Sequence, residues 1–205
     1  MGTARSDILA QVKRNRPADV PLTPLDGPWI RFADPREQFL EVLRAVGGEG
    51  QFIAGQDRLR EALADLRAQL SAHVVCSALP ELMGGNIDLA TIDDPHELAA
   101  VDLAVLPGEL AVAENAAVWV TGARVRHRVA YFLSQHVALV VPADRLVHNM
   151  HEAYAWLYAH AAETAPFVEP RWGAFLSGPS KTADIEQALV IGAHGARSLH
   201  VYFTP

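Results

Sequence analysis

A single cysteine, Cys76, is all the thiol chemistry this 205-residue chain has. One thiol can neither close an internal disulfide nor hold an iron–sulfur cluster, which needs several thiolate ligands. Cys76 sits in the apolar run His73-Val74-Val75-Cys76, the setting of a buried structural thiol rather than of a nucleophile. Lysine is nearly as scarce. Only Lys13 and Lys181 stand among 17 basic residues, the rest being arginine, a bias that a GC-rich gene produces. Positive charge as a whole is in deficit: the net charge is −7 and the pI about 5.7. That balance opposes general nucleic-acid binding, which requires a basic face. No apolar stretch approaches the length of a membrane span. The N-terminus lacks the basic-then-apolar order of a secretion signal, so a cytoplasmic location is expected. Met1-Gly2-Thr3-Ala4-Arg5-Ser6 does fit the short myristoylation pattern, one that arises easily by chance.

What is present is a globular pattern of alternating elements. Half of the residues are apolar, enough for a sizeable core. Residues 6–14 suit a short helix capped by Ser6, with Asp7 at its positive end and Lys13 and Arg14 at its negative end. Six prolines and glycines between 17 and 35 break regular structure, so residues 1–35 read as a helix and a Pro-rich arm, and residues 36–205 as one α/β domain. Phe39, Leu40, Leu43 and Val46 have helical spacing, stopped by Gly47-Gly48, and Leu59, Leu63, Leu66 and Leu70 form a second amphipathic stripe. Apolar runs at 51–54, 73–77, 102–107, 110–113, 118–121, 136–141, 175–176 and 199–203 read as strands. A helix is expected to start at Pro95, another to span 143–161 and a last one 182–190. Strands alternating with helices imply a mostly parallel sheet covered on both faces, with a local antiparallel hairpin at 102–121.

Four segments carry candidate chemistry. Ser177-Gly178-Pro179-Ser180-Lys181-Thr182 lies between a strand and the expected helix at 182–190. Free amides at a helix start, hydroxyls and an ammonium make a site for phosphate or carboxylate. The same residues also describe a well-capped helix after a tight turn, with Thr182 as cap and Asp184 and Glu186 in the first turn. The stretch is no Walker A loop, because the first glycine of that motif is missing. His194, in Ile191-Gly192-Ala193-His194-Gly195, reads equally as a catalytic group or as a histidine capping that helix. Arg124, Arg126 and Arg128 would share one side if their segment were extended, and could receive an anion or face solvent. His148 and His151 are three apart on the expected 143–161 helix, but no third ligand is evident, so no metal is expected.

The stretch from Gly178 to Gly195, GPSKTADIEQALVIGAHG, followed by His200-Val201-Tyr202-Phe203, resembles the C-terminal signature of the lactate-utilisation (LUD) family. A weaker likeness covers 110–142. The family's Ala-Glu-Thr-Gly-Thr becomes Ala113-Glu114-Asn115-Ala116-Ala117, and Arg128 and His136 fall where the family has arginine and histidine. The resemblance implies a three-layer α/β/α fold similar to the isomerase, deaminase and coenzyme-A transferase group. It also implies an accessory role in oxidising L-lactate to pyruvate. The iron–sulfur clusters would then reside in partner oxidoreductase subunits, with no cofactor bound by this chain alone. On this reading Lys181 and Arg128 hold an anionic small molecule with Ser177, Gly178, Ser180 and Thr182. Glu114 acts as base or nucleophile, and His194 orients the ligand or exchanges a proton. The pocket is expected beside the carboxyl end of the sheet. An independent transferase- or ligase-like enzyme built on Glu114 is the alternative, and a pure interaction module a third. Asn115-Ala116 in place of Thr-Gly would crowd any backbone approach to a ligand there.

Overall fold

The computed structural model describes residues 3–21, 27–160, 172–185 and 188–205. Its helices are α1 (Ala4–Arg14), α2 (Pro35–Ala45), α3 (Gln56–Gln69), α4 (Ala130–Leu133) and α5 (Met150–Ala159). Its strands are β1 (Glu49–Phe52), β2 (Val75–Ser77), β3 (Leu103–Pro107), β4 (Leu110–Val112), β5 (Ala117–Thr121), β6 (His136–Pro142), β7 (Leu146–Val147), β8 (Gly173–Leu176), β9 (Lys181–Ile185), β10 (Ala188–Ile191) and β11 (Ser198–Thr204). Short 3-10 turns occupy Pro95–Ala100 and Ala143–Arg145.

The central sheet has the order β1-β11-β6-β3-β2, every neighbouring pair parallel. Side chains alternate across a strand, so each face meets a different layer. Leu199, Val201 and Phe203 join Phe39 and Leu43 of α2. Tyr202, with Ala138 and Val140 of β6, joins Leu59, Leu63 and Leu66 of α3. All five residues of β3 are buried, the burial expected of a central parallel strand. Each fully buried Val or Leu contributes about 1.5–3 kcal/mol. Phe203 anchors the α2 side: its ring stacks on Phe52 at 4.2 Å and meets Phe39 edge-on at 5.0 Å. A smaller sheet, β7-β4-β5-β8, lies on the α2 side, where Val118 and Val120 enter the same core. The result is the expected α/β fold with a mostly parallel sheet.

Local chemistry explains the elements that were legible. Asp34 caps α2 by accepting the amides of Arg36 and Glu37, with Pro35 at the first helical position, and Gly47 leaves the helix at φ 83°. The β4–β5 hairpin is antiparallel, as the closely spaced apolar runs implied.

Two expected helices are corrected. Between 143 and 149 no α-helix forms, and only Ala143–Arg145 winds, as a 3-10 turn. Leu146 and Val147 pair with Ala111 and Val112, giving the edge of the small sheet a partner, and Asn149 caps α5 by accepting the amide of Glu152. The expected helix at 182–190 is an antiparallel hairpin, in which Lys181 opposes Ile191 and Thr182 opposes Val190. Thr182 therefore caps no helix, and Glu186 lies outside the described residues. At the N-terminus, α1 is capped by Thr3 rather than Ser6 and buries no residue. Residues 29–32 are tied to the start of α5. The Phe32 amide donates to His148 Nδ1 (3.0 Å), Asn149 Nδ2 donates to the Ile30 carbonyl (2.9 Å), and Trp29 stacks on His151 at 3.5 Å. His148 and His151 thus serve this contact rather than one shared helix face, since His148 precedes the helix. Among the described residues no helix is long and apolar enough to cross a membrane.

Candidate functional site

The signature segment leaves β8 and must enter the central sheet at the start of β11, and that route builds a cavity. Ser180 is held twice through its backbone: its amide donates to the Ala196 carbonyl and its carbonyl accepts from the Gly192 amide, both at 2.9 Å. Gly178 takes φ 70°, and a Cβ there would lie 2.7 Å from the Val46 carbonyl, so the loop packs on the end of α2 through a residue that must be glycine. Gly195 packs against Ser180, where a Cβ would stand 3.0 Å from the serine Cβ. A cavity of about 260 Å³ results, lined by Ser177, Gly178, Ser180 and His194 together with Tyr131 and Phe132. Its remaining wall includes Val137 and Leu199, the second residues of β6 and β11. The cavity therefore lies at the amino end of the central strands, not the expected carboxyl end, because both of its walls feed strand starts.

Four of the eight expected site residues, Ser177, Gly178, Ser180 and His194, converge on this cavity. The others do not line it. Lys181 is exposed, and its Nζ approaches Gly47 beside the C-terminus of α2, where a cation is favoured by the helix dipole. Thr182 pairs within the hairpin. Arg128 lines a separate cleft of about 350 Å³ and places its guanidinium 6.0 Å from the Trp172 ring. Trp172 in turn touches Tyr131 and Phe132, so the two cavities share an aromatic partition. Residues 124–129 form turns rather than an extended segment. Their arginines diverge: Arg124 toward Glu81 (4.0 Å), Arg126 to Asp93 (2.8 Å) and the Ala90 carbonyl.

Glu114 has a structural use. Its Oε2 accepts the Met150 amide at 3.0 Å, satisfying a donor at the first turn of α5. The turn it starts is fastened to the signature loop, since Ser177 Oγ donates to the Asn115 carbonyl at 2.6 Å. Asn115 Oδ1 accepts the Ala117 amide at 3.1 Å, which lets Ala116 hold φ 52° without being glycine.

A crevice of about 320 Å³ does occupy the carboxyl end of the sheet, where Pro107, Pro142 and Thr204 end β3, β6 and β11. Its charged rim pairs Arg145 with Glu109 at 3.7 Å and Arg124 with Glu81. Sequence reasoning missed Glu81, Glu109 and Arg145, which lie in unrelated loops with no shared motif. The one available signal was that each follows or precedes the end of an apolar run.

Residues 88–204, more than half of the chain and the whole cavity wall, match the LUD domain. The chain belongs to the LUD domain family. This LUD domain is 33% identical over 127 residues to a lactate utilization protein C of Geobacillus thermodenitrificans, covering 62% of this chain and 48% of that protein. It is 31% identical over 116 residues to the protein of the same name from Geobacillus kaustophilus, covering 57% and 44%. A third such protein, from Halalkalibacterium halodurans, is 30% identical over 94 residues. The LUD domain thus spans about half the length of the curated relatives it matches. Its fold is similar to the crystal structure of a DUF162 family protein from Deinococcus radiodurans, with a TM-score of 0.63, 18% identity, and coverage of 83% of this chain and 96% of that one.

Proposed function

We propose that this LUD domain is an accessory subunit in the oxidation of L-lactate to pyruvate, working beside partner proteins that carry the iron–sulfur clusters. The observation that carries the reading is the similarity to relatives named lactate utilization protein C. The single, buried Cys76 supports the division of labour. Burial pushes its thiol up to about 11, so it stays protonated and is a poor metal ligand or nucleophile. Electrons from lactate would then need a redox centre on another chain.

The Ser177–Ser180 cavity is the proposed place for an anionic small molecule. It offers the Ser180 hydroxyl and the His194 imidazole at an opening large enough for a three-carbon hydroxy acid. Lys181 would add positive charge at the adjoining surface.

Purified alone, the chain should not reduce a dye acceptor with L-lactate. Mixed with the cluster-bearing proteins of a lactate-utilisation system, it should be required for turnover. Lactate oxidation by the isolated chain would refute the accessory role. L-lactate or pyruvate at 100 times its dissociation constant should stabilise the fold by about 2.7 kcal/mol. That stabilisation should weaken in His194→Ala.

A further inference from the structure

A second polar cluster lies on the opposite, α3-facing side of the same strand starts. Ser198 is the first residue of β11, and in register it faces His136, the first residue of β6. Ser198 Oγ stands 2.7 Å from His136 Nδ1 and 2.9 Å from His200 Nε2. His200 is 7% exposed, and its Nδ1 lies 3.7 Å from Glu49 Oε2, its register partner on β1. Three neighbouring parallel strands thus bring a serine, two histidines and a glutamate into one row.

Proton counting orders the row. A hydroxyl has one proton, so Ser198 can donate to one imidazole only. Glu49 favours a proton on His200 Nδ1, which leaves the Nε2 lone pair facing Ser198. The hydroxyl therefore donates to His200, and His136 Nδ1–H donates to the serine oxygen. Desolvation holds both imidazoles below their ordinary pKa, so both are neutral near pH 7 and each keeps one ring nitrogen as an acceptor. An imidazole that accepts the hydroxyl proton and is itself oriented by a carboxylate, as His200 is by Glu49, is the arrangement that activates a serine, while His136 fixes the position of the oxygen. Arg197 adds positive charge beside His136. A cavity of about 210 Å³, lined by Glu49, Gly50, Gln51, His200 and Tyr202, opens at the Glu49–His200 end of the row, beside His200 rather than against Ser198.

We propose that Ser198 is a nucleophile with His200 as its general base, forming a second site that hydrolyses small acyl esters. Ser198 Oγ attacks the ester carbonyl carbon while its proton passes to His200 Nε2. The carbon–oxygen bond to the alcohol breaks, and the leaving alcohol takes that proton. Water, deprotonated by His200, then attacks the acyl-serine. The acid departs and the hydroxyl is restored. His136 donates to the serine oxygen throughout, and Glu49 is a positioning residue that sets the tautomer of His200.

The full chain treated with an alkyl fluorophosphonate should gain one adduct, mapped to Ser198 by peptide mass spectrometry. His200→Gln should slow labelling about a hundredfold, and 4-nitrophenyl acetate hydrolysis with it. Glu49→Gln should slow labelling about threefold, the weight of an exposed carboxylate facing the imidazolium that forms on His200 during attack, with Glu49→Asp restoring the rate. An unlabelled wild-type chain, or adducts only at other serines, would overturn the proposal. Because that result is read on the unmodified protein, misfolding of a variant cannot imitate it. An undiminished rate in a folded His200→Gln would overturn the assignment of the base. Neither result bears on the lactate reading, which rests on the other face.

Discussion

Ser177 Oγ donates a 2.6 Å hydrogen bond to the carbonyl of Asn115, and so ties the signature loop to the turn between β4 and β5. The bond joins residues 62 apart in sequence. Ser177→Ala should lower stability by about 1 kcal/mol, the usual worth of such a bond, and leave the secondary structure unchanged. Thermal melting with far-UV dichroism checks both. An unaltered melting temperature would mean that the loop is held by its backbone alone.

Ala116 occupies the left-handed region at φ 52°, a conformation that favours glycine. The strain of a Cβ there, about 1–2 kcal/mol, exceeds the entropy that glycine regains on unfolding. Ala116→Gly should therefore stabilise the fold by up to about 1 kcal/mol, read from urea midpoints. Destabilisation would show that the methyl group, which is fully buried, is worth more in packing than the turn loses in strain.

Glu114 accepts the amide of Met150 at the start of α5. Glu114→Ala should cost about 1 kcal/mol through loss of this cap, with the β4–β5 hairpin intact. Hydrogen exchange concentrated at residues 150–153 would locate the effect. A variant as stable as the wild type would remove the capping role and reopen a chemical one.

His136 and His200 both titrate below their ordinary value of 6.5, chiefly because burial disfavours the charged ring. In the unfolded chain they bind protons near 6.5, before the folded chain does. Their contribution is therefore fully present above that pH. It is lost as pH falls through 6.5 toward the folded values. Asp102 shifts downward as well, mainly by accepting the Val74 amide, and its contribution fades only in the acid range below its ordinary 3.8. Denaturant midpoints between pH 8 and 3 should fall in two stages. A flat profile from 7 to 5 would contradict the histidine environment.

The segment at 29–32 leans on His148, His151 and Glu152, the last through Arg31 at 2.5 Å. His148→Ala removes the acceptor of the Phe32 amide and should speed tryptic cleavage after Arg31 in the native protein. Equal cleavage rates would show that the remaining contacts suffice.

Apolar periodicity made most of the fold legible. Phe39 and Leu43, or Leu59, Leu63 and Leu66, repeat at helical spacing and face one core each, and the β3 and β6 runs are too continuously apolar to be anything but buried strands. The segment 181–191 defeated the same reasoning. Ile185, Leu189 and Val190 fit a short helix as well as a hairpin, and the pairing of Thr182 with Val190 decided between them. Residues 143–149 were misread for a similar cause, since Leu146 is claimed by an edge strand that its own neighbourhood does not announce.

By itself the sequence determined the family, the class of fold and the segment Ser177–His194 that builds a cavity, because these depend on local residue types and their spacing. Only the tertiary structure decided that Arg128 and Lys181 lie outside that cavity and that Glu114 serves a helix. It alone set Ser198 between two histidines. Each of those placements depends on parallel strand register or on contacts between residues dozens of positions apart, and the energy that selects a register comes from the whole buried sheet rather than from any one segment.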